Sequence, residues 1–308
     1  MADVQSSIVV SSGDVVIDRR FAWARESLAA GDQAGAADLL EQVLELAPGY
    51  APAWFLLGEA RERLGQREGA MAAFRKALEH DPADRQGATL RLIRLGAQVS
   101  GAMPLGYVQA LYDGYAPRFE QSLMGGLGYR APDLLLRAVC THAGERRLAT
   151  MLDLGCGTGL AGATFRPRCE WLVGVELSSA MLAKARAKGI YDRLVESDIA
   201  TFLTEEAAQG TRYELIVAAD VLIYVDALTP LLADAARVLD PSGLIAFDVE
   251  AHDGEGTILR DTLRYAHAAA QVRDTIAAAG LRLVSLEAGV SRNEKGAPVP
   301  GLVVVAER

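Results

Sequence analysis

Histidine and cysteine are scarce in this chain of 308 residues, at four and three copies, and that scarcity limits its chemistry. Cys140, Cys156 and Cys169 form no CxxC pair and no metal-ligand spacing, so neither a metal site nor a disulfide framework is expected. A sparse, odd set of thiols suits a reducing compartment, and a cytoplasmic location is the expectation. No stretch approaches the ~20 uncharged apolar residues that would cross a bilayer. Residues 1–18 lack the basic, apolar and small-residue regions of a signal peptide. Lys and Arg number 31 against 40 Asp and Glu, for a net charge of -9. No basic cluster supplies the phosphate-neutralising surface that a nucleic-acid partner requires. What is present is ordinary globular composition, 51% hydrophobic and 23% charged, in a chain long enough for two domains.

Residues 17–84 contain an internal repeat. Ala36 recurs as Ala70, Leu40 as Phe74, Val43 as Ala77 and Pro48 as Pro82. The offset of 34 is the length of a tetratricopeptide repeat, in which two antiparallel helices make one unit. Small residues such as Gly58 and Ala70 allow close helix approach, and each proline follows a helix that it could not continue. The second copy, with Trp54, Leu57, Gly58, Ala70, Phe74, Ala77 and Pro82, resembles the family more closely. In the first, Trp23 stands where the second has Leu57. Residues 85–98 read as a capping helix. Two repeats seldom bury enough surface to stand alone, so the module is expected to pack on the rest of the chain, a second copy or a peptide partner.

From about residue 149 the pattern becomes strands alternating with helices, the sequence form of a doubly wound α/β sheet. Strands are expected at 149–154, 170–175, 193–196, 213–218 and 243–249, with helices at 179–188, 199–208 and 228–239. Two final strands, at 281–287 and 301–306, have no helix between them. Gly155, Gly157 and Gly159 form a turn after the first strand, letting the backbone pass close beneath a ligand at the carboxyl edge of the sheet. Asp153, just before that turn, can accept from an ammonium group or order the loop. Glu176, at the end of the second strand, can take both hydroxyls of a ribose. Asp198 follows the third, where it can accept from an adenine amino group while Ile199 flanks the ring. Three acids at three successive strand ends suit one adenosyl ligand.

A GxGxxG also occurs, as residues 157–162, and alone would permit a nicotinamide dehydrogenase. The Asp153-Leu154-Gly155-Cys156-Gly157-Thr158-Gly159 form, Asp198 and the closing strand pair weigh against it. These features resemble class I (Rossmann-like) S-adenosylmethionine-dependent methyltransferases. Residues 152–159 resemble the family's first motif, Gly174 to Ser178 (with Glu176 and Leu177) the second, and Ser197-Asp198-Ile199 the adenine contact. Residues 219–225, including Asp220 and Tyr224, resemble the segment facing cofactor and substrate, and residues 239–243 the turn into the fifth strand. The resemblance implies a seven-stranded sheet with its last strand antiparallel, and S-adenosylmethionine as cofactor.

Tyr107, Tyr112, Tyr115 and Tyr129 cluster ahead of the first strand, in a segment resembling the helices that close over the cofactor in small-molecule methyltransferases. Tyr112, Tyr115 and Tyr129 are therefore candidate cofactor contacts, through cation–π stabilisation of a sulfonium or a hydroxyl for its carboxylate. Methyl transfer can proceed by alignment alone, with a base only where the nucleophile arrives protonated. The catalytic candidates are His267, His252 and Asp220. His267 leads because Arg264-Tyr265-Ala266-His267, expected to open the helix before the sixth strand, resembles a stretch in other repeat-fused methyltransferases. Tyr224, Tyr265 and Arg292 are candidate substrate contacts, Arg292 for an anionic one.

The expected organisation is a flexible tail over 1–16, helical repeats with a capping helix over 17–98, an aromatic-rich linker or lid over 99–145, and the α/β domain over 146–308. The expected activity is methylation of a small molecule or natural-product intermediate on O, N or C. The alternatives are a protein or peptide methyltransferase that recruits its target through the repeats, and a non-catalytic adaptor with a relic nucleotide site.

Overall fold

Asp14 opens the first helix by accepting from the Val16 backbone N–H at 2.7 Å. Helix α1 thus spans Val15–Ala30, two residues earlier than the repeat pattern places it, because the capping carboxylate rather than the first buried residue sets the start. The computed structural model describes residues 11–97, 102–144, 146–294 and 296–308. Residues 1–10 of the expected tail and Gln98 at the end of the expected capping helix lie outside them. The chain divides into two compact units, one up to Gly114 and one from Tyr115 onward.

The first unit stacks α1 with α2 (Gln33–Leu46), α3 (Ala51–Arg63), α4 (Arg67–His80) and α5 (Ala88–Arg94). The repeated pairs Ala36 and Ala70, Leu40 and Phe74, and Val43 and Ala77 are all buried. Gly58 is where α3 and α4 touch: a Cβ there would stand 2.6 Å from the Phe74 ring. Trp23 is 51% exposed while its counterpart Leu57 is 1% exposed, because α1 is the first of the described helices in the stack. On α5, Arg91 is ion-paired to Glu59 and, at 3.6 Å, to Glu62, both on α3. Asp84 starts α5 by accepting from the Ala88 and Thr89 backbone N–H groups at 2.6 and 2.9 Å. Helix α6 (Leu105–Tyr115) follows.

The second unit opens with a helical segment that includes α7 (Phe119–Ser122) and α8 (Ala131–Ala143). The chain then alternates: β1 (Leu148–Leu154), α9 (Leu160–Phe165), β2 (Cys169–Glu176), α10 (Ser179–Lys188), β3 (Arg193–Glu196), α11 (Ile199–Gln209), β4 (Tyr213–Ala218), α12 (Leu228–Val238) and β5 (Leu239–Ala251). Two short strands, β6 (Thr257–Leu259) and β7 (Tyr265–His267), precede α13 (Ala269–Ala278). Strands β8 (Arg282–Gly289) and β11 (Gly301–Glu307) close the sheet around a small hairpin of β9 (Asn293–Glu294) and β10 (Ala297–Pro298).

The main sheet runs β3-β2-β1-β4-β5-β11-β8. Its first five strands are parallel, and β11 is antiparallel to both neighbours. A dinucleotide-binding dehydrogenase sheet has the order 3-2-1-4-5-6, so the inserted antiparallel strand removes that reading. Residues alternate between two apolar layers. Leu152, Val173 and Ile216 face Phe202, Leu232 and Val272 from α11, α12 and α13, while Met151, Leu172 and Leu215 face Leu135, Val139 and Phe165 from α8 and α9. Among the described residues, no helix is long and apolar enough to cross a membrane.

The sequence placed Tyr265 and His267 in the opening of a helix. They lie instead on β7, which pairs with Glu250 and Ala251 of β5, beyond the point where β4 stops pairing at Phe247. That vacated edge offers backbone partners, and α13 starts only at Ala269.

Candidate active site

The turn after β1 depends on left-handed backbone. Gly155, Gly157 and Gly159 have φ of +61°, +56° and +88°, a region that side chains rarely enter. Gly155 is also hemmed in, since a Cβ there would lie 2.7 Å from Val221. Gly157 faces open space, with nothing within 4 Å of a Cβ. The Gly157 N–H donates to Glu176 Oε2 at 2.9 Å, and the Ser178 N–H to Oε1 at 2.8 Å. The structure thereby joins the glycine turn to the acid ending β2, with Leu177 half-buried beside it. One strand further, Asp198 caps α11 by accepting from Thr201 N–H at 3.0 Å, and Ile199 follows, half-buried. All three acids stand at the carboxyl ends of adjacent parallel strands, where ligands bind in such sheets.

Asp153 is enclosed, 1% exposed. Its Oδ2 accepts from the Tyr191 hydroxyl at 2.7 Å. Burial first pushes its carboxyl up to about 7, and the Glu176 charge adds to the rise; the Tyr191 and Gly162 hydrogen bonds oppose it. Of the two roles open to Asp153, this geometry is that of a loop-ordering group. Tyr191 escaped the sequence reading because it lies outside every motif. The signal available was glycine at 162 and 174: a Cβ at Gly162 would stand 2.2 Å from the Tyr191 hydroxyl oxygen, and one at Gly174 2.8 Å from its ring.

The segment after β4 is held differently. Asp220 adopts φ +59°, costly for a residue with a side chain. Its N–H donates to Asp248 Oδ1 on β5 at 2.7 Å, and its carboxylate is ion-paired to Arg292. Arg292, 1% exposed, also pairs with Glu250, which lies 3.4 Å from Arg260 and 3.6 Å from Arg264. Burial, with Asp220 nearby, holds the Asp248 carboxyl above its usual range. The role expected of Arg292, an anion receptor, is not the one its geometry shows. Both terminal nitrogens are engaged by internal carboxylates, so it ties the loop before β11 to the ends of β4 and β5.

Tyr129 brings its hydroxyl within 3.5 Å of the Ala219 carbonyl. Burial, then the Asp220 and Asp248 charges, raise its pKa well above the ordinary phenol value. Its segment is fastened to the loop before β11 through Arg130, whose N–H donates to Ser291 O at 2.8 Å and whose Nε donates to Val290 O at 3.0 Å. Tyr115 is buried edge-on to Phe119, with ring centroids 5.4 Å apart. Tyr112 lies on α6 in the first unit.

Of the three catalytic candidates, His252 and His267 are neighbours, the His252 backbone N–H donating to His267 O at 3.4 Å, while Asp220 lies in the turn after β4. His267 is fully buried, with Nδ1 3.1 Å from Thr257 Oγ1 and the Leu222 and Val225 backbone beside the ring. Burial drives its pKa down to about 4, so the imidazole is neutral at pH 7. His252 uses both ring nitrogens in its own loop: Nδ1 accepts from Gly254 N–H at 3.1 Å, which leaves Nε2 to donate to Gly256 O at 3.0 Å. Asp220 is committed to Arg292. Tyr224 is half-buried in the turn after β4. Tyr265 is buried on β7, its phenol pushed up to about 12 by burial and Asp226. Among the described residues, no group of three or more His, Cys, Asp or Glu is placed to hold a metal ion.

Comparison with known proteins agrees with this geometry. Residues 152–247 match the methyltransferase domain family, and residues 27–92 the tetratricopeptide repeat. Methyltransferase-like protein 27 of Homo sapiens is 37% identical over 116 residues, covering 36% of this chain and 46% of that protein. Malonyl-[acyl-carrier protein] O-methyltransferase of Enterobacter lignolyticus is 30% identical over 147 residues, covering 47% and 54%. The chain thus spans about half the length of these curated relatives. Among solved structures, the 1,6-didemethyltoxoflavin-N1-methyltransferase of Burkholderia thailandensis shares the fold, with TM-score 0.53 and 19% identity over 68% of this chain and 92% of that one. Residues 152–247 thus match a methyltransferase domain on a Rossmann-like fold, preceded by a tetratricopeptide-repeat match over 27–92.

Proposed function

We propose that this protein methylates a small molecule or natural-product intermediate, on oxygen, nitrogen or carbon. The observation that carries the reading is the glycine turn locked to Glu176 by the 2.9 Å bond from Gly157 N–H. It leaves an open backbone face at Gly157 beside a carboxylate suited to a ribose. In this reading Gly155, Gly157 and Gly159 carry the cofactor's amino-acid portion, Glu176 and Leu177 hold the ribose, and Asp198 and Ile199 hold the adenine. Tyr115 and Tyr129 cover it, Asp220 faces the methionine end, and Tyr224 and Tyr265 border the acceptor. S-adenosylmethionine, when bound, supplies an electrophilic methyl on a sulfonium. The chain's own contribution is alignment, which suffices for an in-line displacement.

The geometry of the two histidines favours an acceptor that needs no protein base. His252 has both nitrogens engaged in its loop and His267 is enclosed and neutral. We therefore assign His267 to packing beside the Leu222–Tyr224 turn rather than to proton abstraction. A carboxylate, an unprotonated amine or a phenol losing its proton to solvent would meet this requirement.

A second reading has its own observation in the repeat match over 27–92. The acceptor would then arrive on a protein, as the name of the malonyl-[acyl-carrier protein] relative implies for that enzyme. The experiment is to follow release of S-adenosylhomocysteine with panels of free carboxylic acids, phenols and amines, and separately with acyl-carrier proteins and peptides. Turnover with free small molecules supports the first reading. Turnover confined to protein-borne acceptors would replace it with the second.

A further inference from the structure

Tyr191 belongs to no recognised motif, yet it is the side chain around which the glycine turn is built. It precedes β3, and its hydroxyl crosses to Asp153 on β1 at 2.7 Å. Three glycines make room for it. A Cβ would meet the Tyr191 hydroxyl at 2.2 Å from position 162, and the ring at 2.8 Å from 174 and 3.0 Å from 159. These positions lie in α9, in β2 and at the start of α9, so one phenol lies against α9 and β2 and, through Asp153, reaches β1 as well. The ring occupies the space that a side chain at 162 or 174 would need, and its hydroxyl has a carboxylate as its acceptor.

We propose that Tyr191 is a positioning residue for S-adenosylmethionine, holding Asp153 ionised and fixed beneath the glycine turn so that the turn and Glu176 stay in register with the ligand. The inference rests on the cofactor reading above and adds a residue outside the motifs that support it. The mechanism is electrostatic as well as steric. Asp153 is enclosed, and an enclosed carboxylate stays charged only as far as its hydrogen bonds offset desolvation. Tyr191 and the Gly162 backbone supply those bonds, while Glu176 on β2 opposes ionisation. Cys156 in the turn, Cys169 on β2 and Tyr129 ahead of β1 also feel the Asp153 charge. S-adenosylmethionine carries two positive groups, so a charged Asp153 favours it and a protonated one does not.

Deleting the hydroxyl while keeping the ring should therefore weaken binding in a pH-dependent way. The test is calorimetric titration of S-adenosylmethionine into full-length wild type, Tyr191→Phe and Asp153→Asn from pH 6 to 9. The wild type should lose affinity as pH falls through about 7. Tyr191→Phe should move that midpoint upward by a unit or more and weaken binding about tenfold at pH 7.5, converging on the wild type near pH 9. Asp153→Asn should bind weakly without the pH step, and adding Tyr191→Phe to it should change affinity less than twofold. A purely structural tyrosine would weaken binding equally at every pH, which would overturn the proposal. Unchanged affinity and midpoint in Tyr191→Phe would do so too. Should Tyr191→Phe not fold, an Asp153→Asn variant that keeps the wild-type pH step would overturn it. A wild type that binds no S-adenosylmethionine at any pH would overturn the cofactor reading itself, and this inference with it.

Discussion

Arg292, in the loop before β11, is ion-paired to Asp220, the residue held in left-handed backbone directly after β4. The second terminal nitrogen of Arg292 engages Glu250, so one buried cation spans the ends of two parallel strands. Removing it leaves two carboxylates without their shared partner, although Glu250 keeps Arg260 and Arg264 nearby. Breaking one side of a buried ion pair costs about 3–5 kcal/mol. Arg292→Leu should therefore lower stability by about that amount in urea denaturation. Arg292→Lys should recover only part of it, because an ammonium lacks the planar fork. A loss below ~1 kcal/mol for Arg292→Leu would mean that the network contributes little.

The repeat unit offers a contrast between two helical glycines. At Gly58 a Cβ would lie 2.6–2.8 Å from the fully buried Phe74 ring. At Gly69 it would lie 3.2 Å from the Arg61 side chain, which can move. Replacing glycine by alanine within a helix gains about 0.5–1 kcal/mol where space allows, and overpacking a core costs about 1–3 kcal/mol. Gly69→Ala should thus be neutral or stabilising and Gly58→Ala destabilising, as read by thermal unfolding of each full-length variant. The same sign for both would contradict the helix–helix approach described at Gly58.

His267 and Asp153 give opposite contributions to acid stability. The folded pKa of His267 is depressed to about 4. Between there and about 6.5 the unfolded chain binds a proton that the folded one does not, so stability falls as pH falls through this range. Asp153, raised to about 7, is protonated in the folded state where the unfolded carboxyl is not. It therefore makes stability rise as pH falls from about 7 toward 4. The two partly cancel in the wild type, and a variant is needed to separate them. The stability difference between wild type and His267→Gln should shift against the wild type on acidification from pH 6.5 to 4.5, by at most about 1.4 kcal/mol per pH unit. A difference independent of pH would show that His267 titrates normally. Turnover of His267→Gln at pH 7–9 should fall only as far as the Leu222–Tyr224 turn loosens. A loss of ~10²-fold or more that follows an ionisation would restore the base role.

Much of the second unit was legible because its central strands β1, β2 and β4 are mostly buried and its turns carry glycine. The strands 193–196 and 213–218 appear with the bounds expected, as does the helix 179–188. Strands β6 and β7 were not legible. Three residues cannot display alternation, and β7 forms because β5 outlasts β4 and leaves an edge to pair. For the site, the acids Glu176 and Asp198 were visible as strand-end residues before helices. Tyr191 was not, since its importance comes from three glycines distant in sequence that only the fold gathers. Arg292 was visible as a charged residue in a loop, but its burial between Asp220 and Glu250 depends on where β11 inserts.

Titration of S-adenosylmethionine, and separately NAD, into wild type and Glu176→Ala tests the central claim most directly. The carboxylate at the end of β2, tied to the glycine turn by Gly157 N–H and to Ser178 N–H, should hold the ribose. S-adenosylmethionine should bind the wild type at a single site, and NAD should give no measurable heat. Glu176→Ala should weaken the first interaction by about 1.5–3 kcal/mol, some 10- to 150-fold, as for hydrogen bonds to a charged group. Equal affinity of wild type and variant would remove Glu176 from the site, and binding of NAD in place of S-adenosylmethionine would contradict the account as a whole.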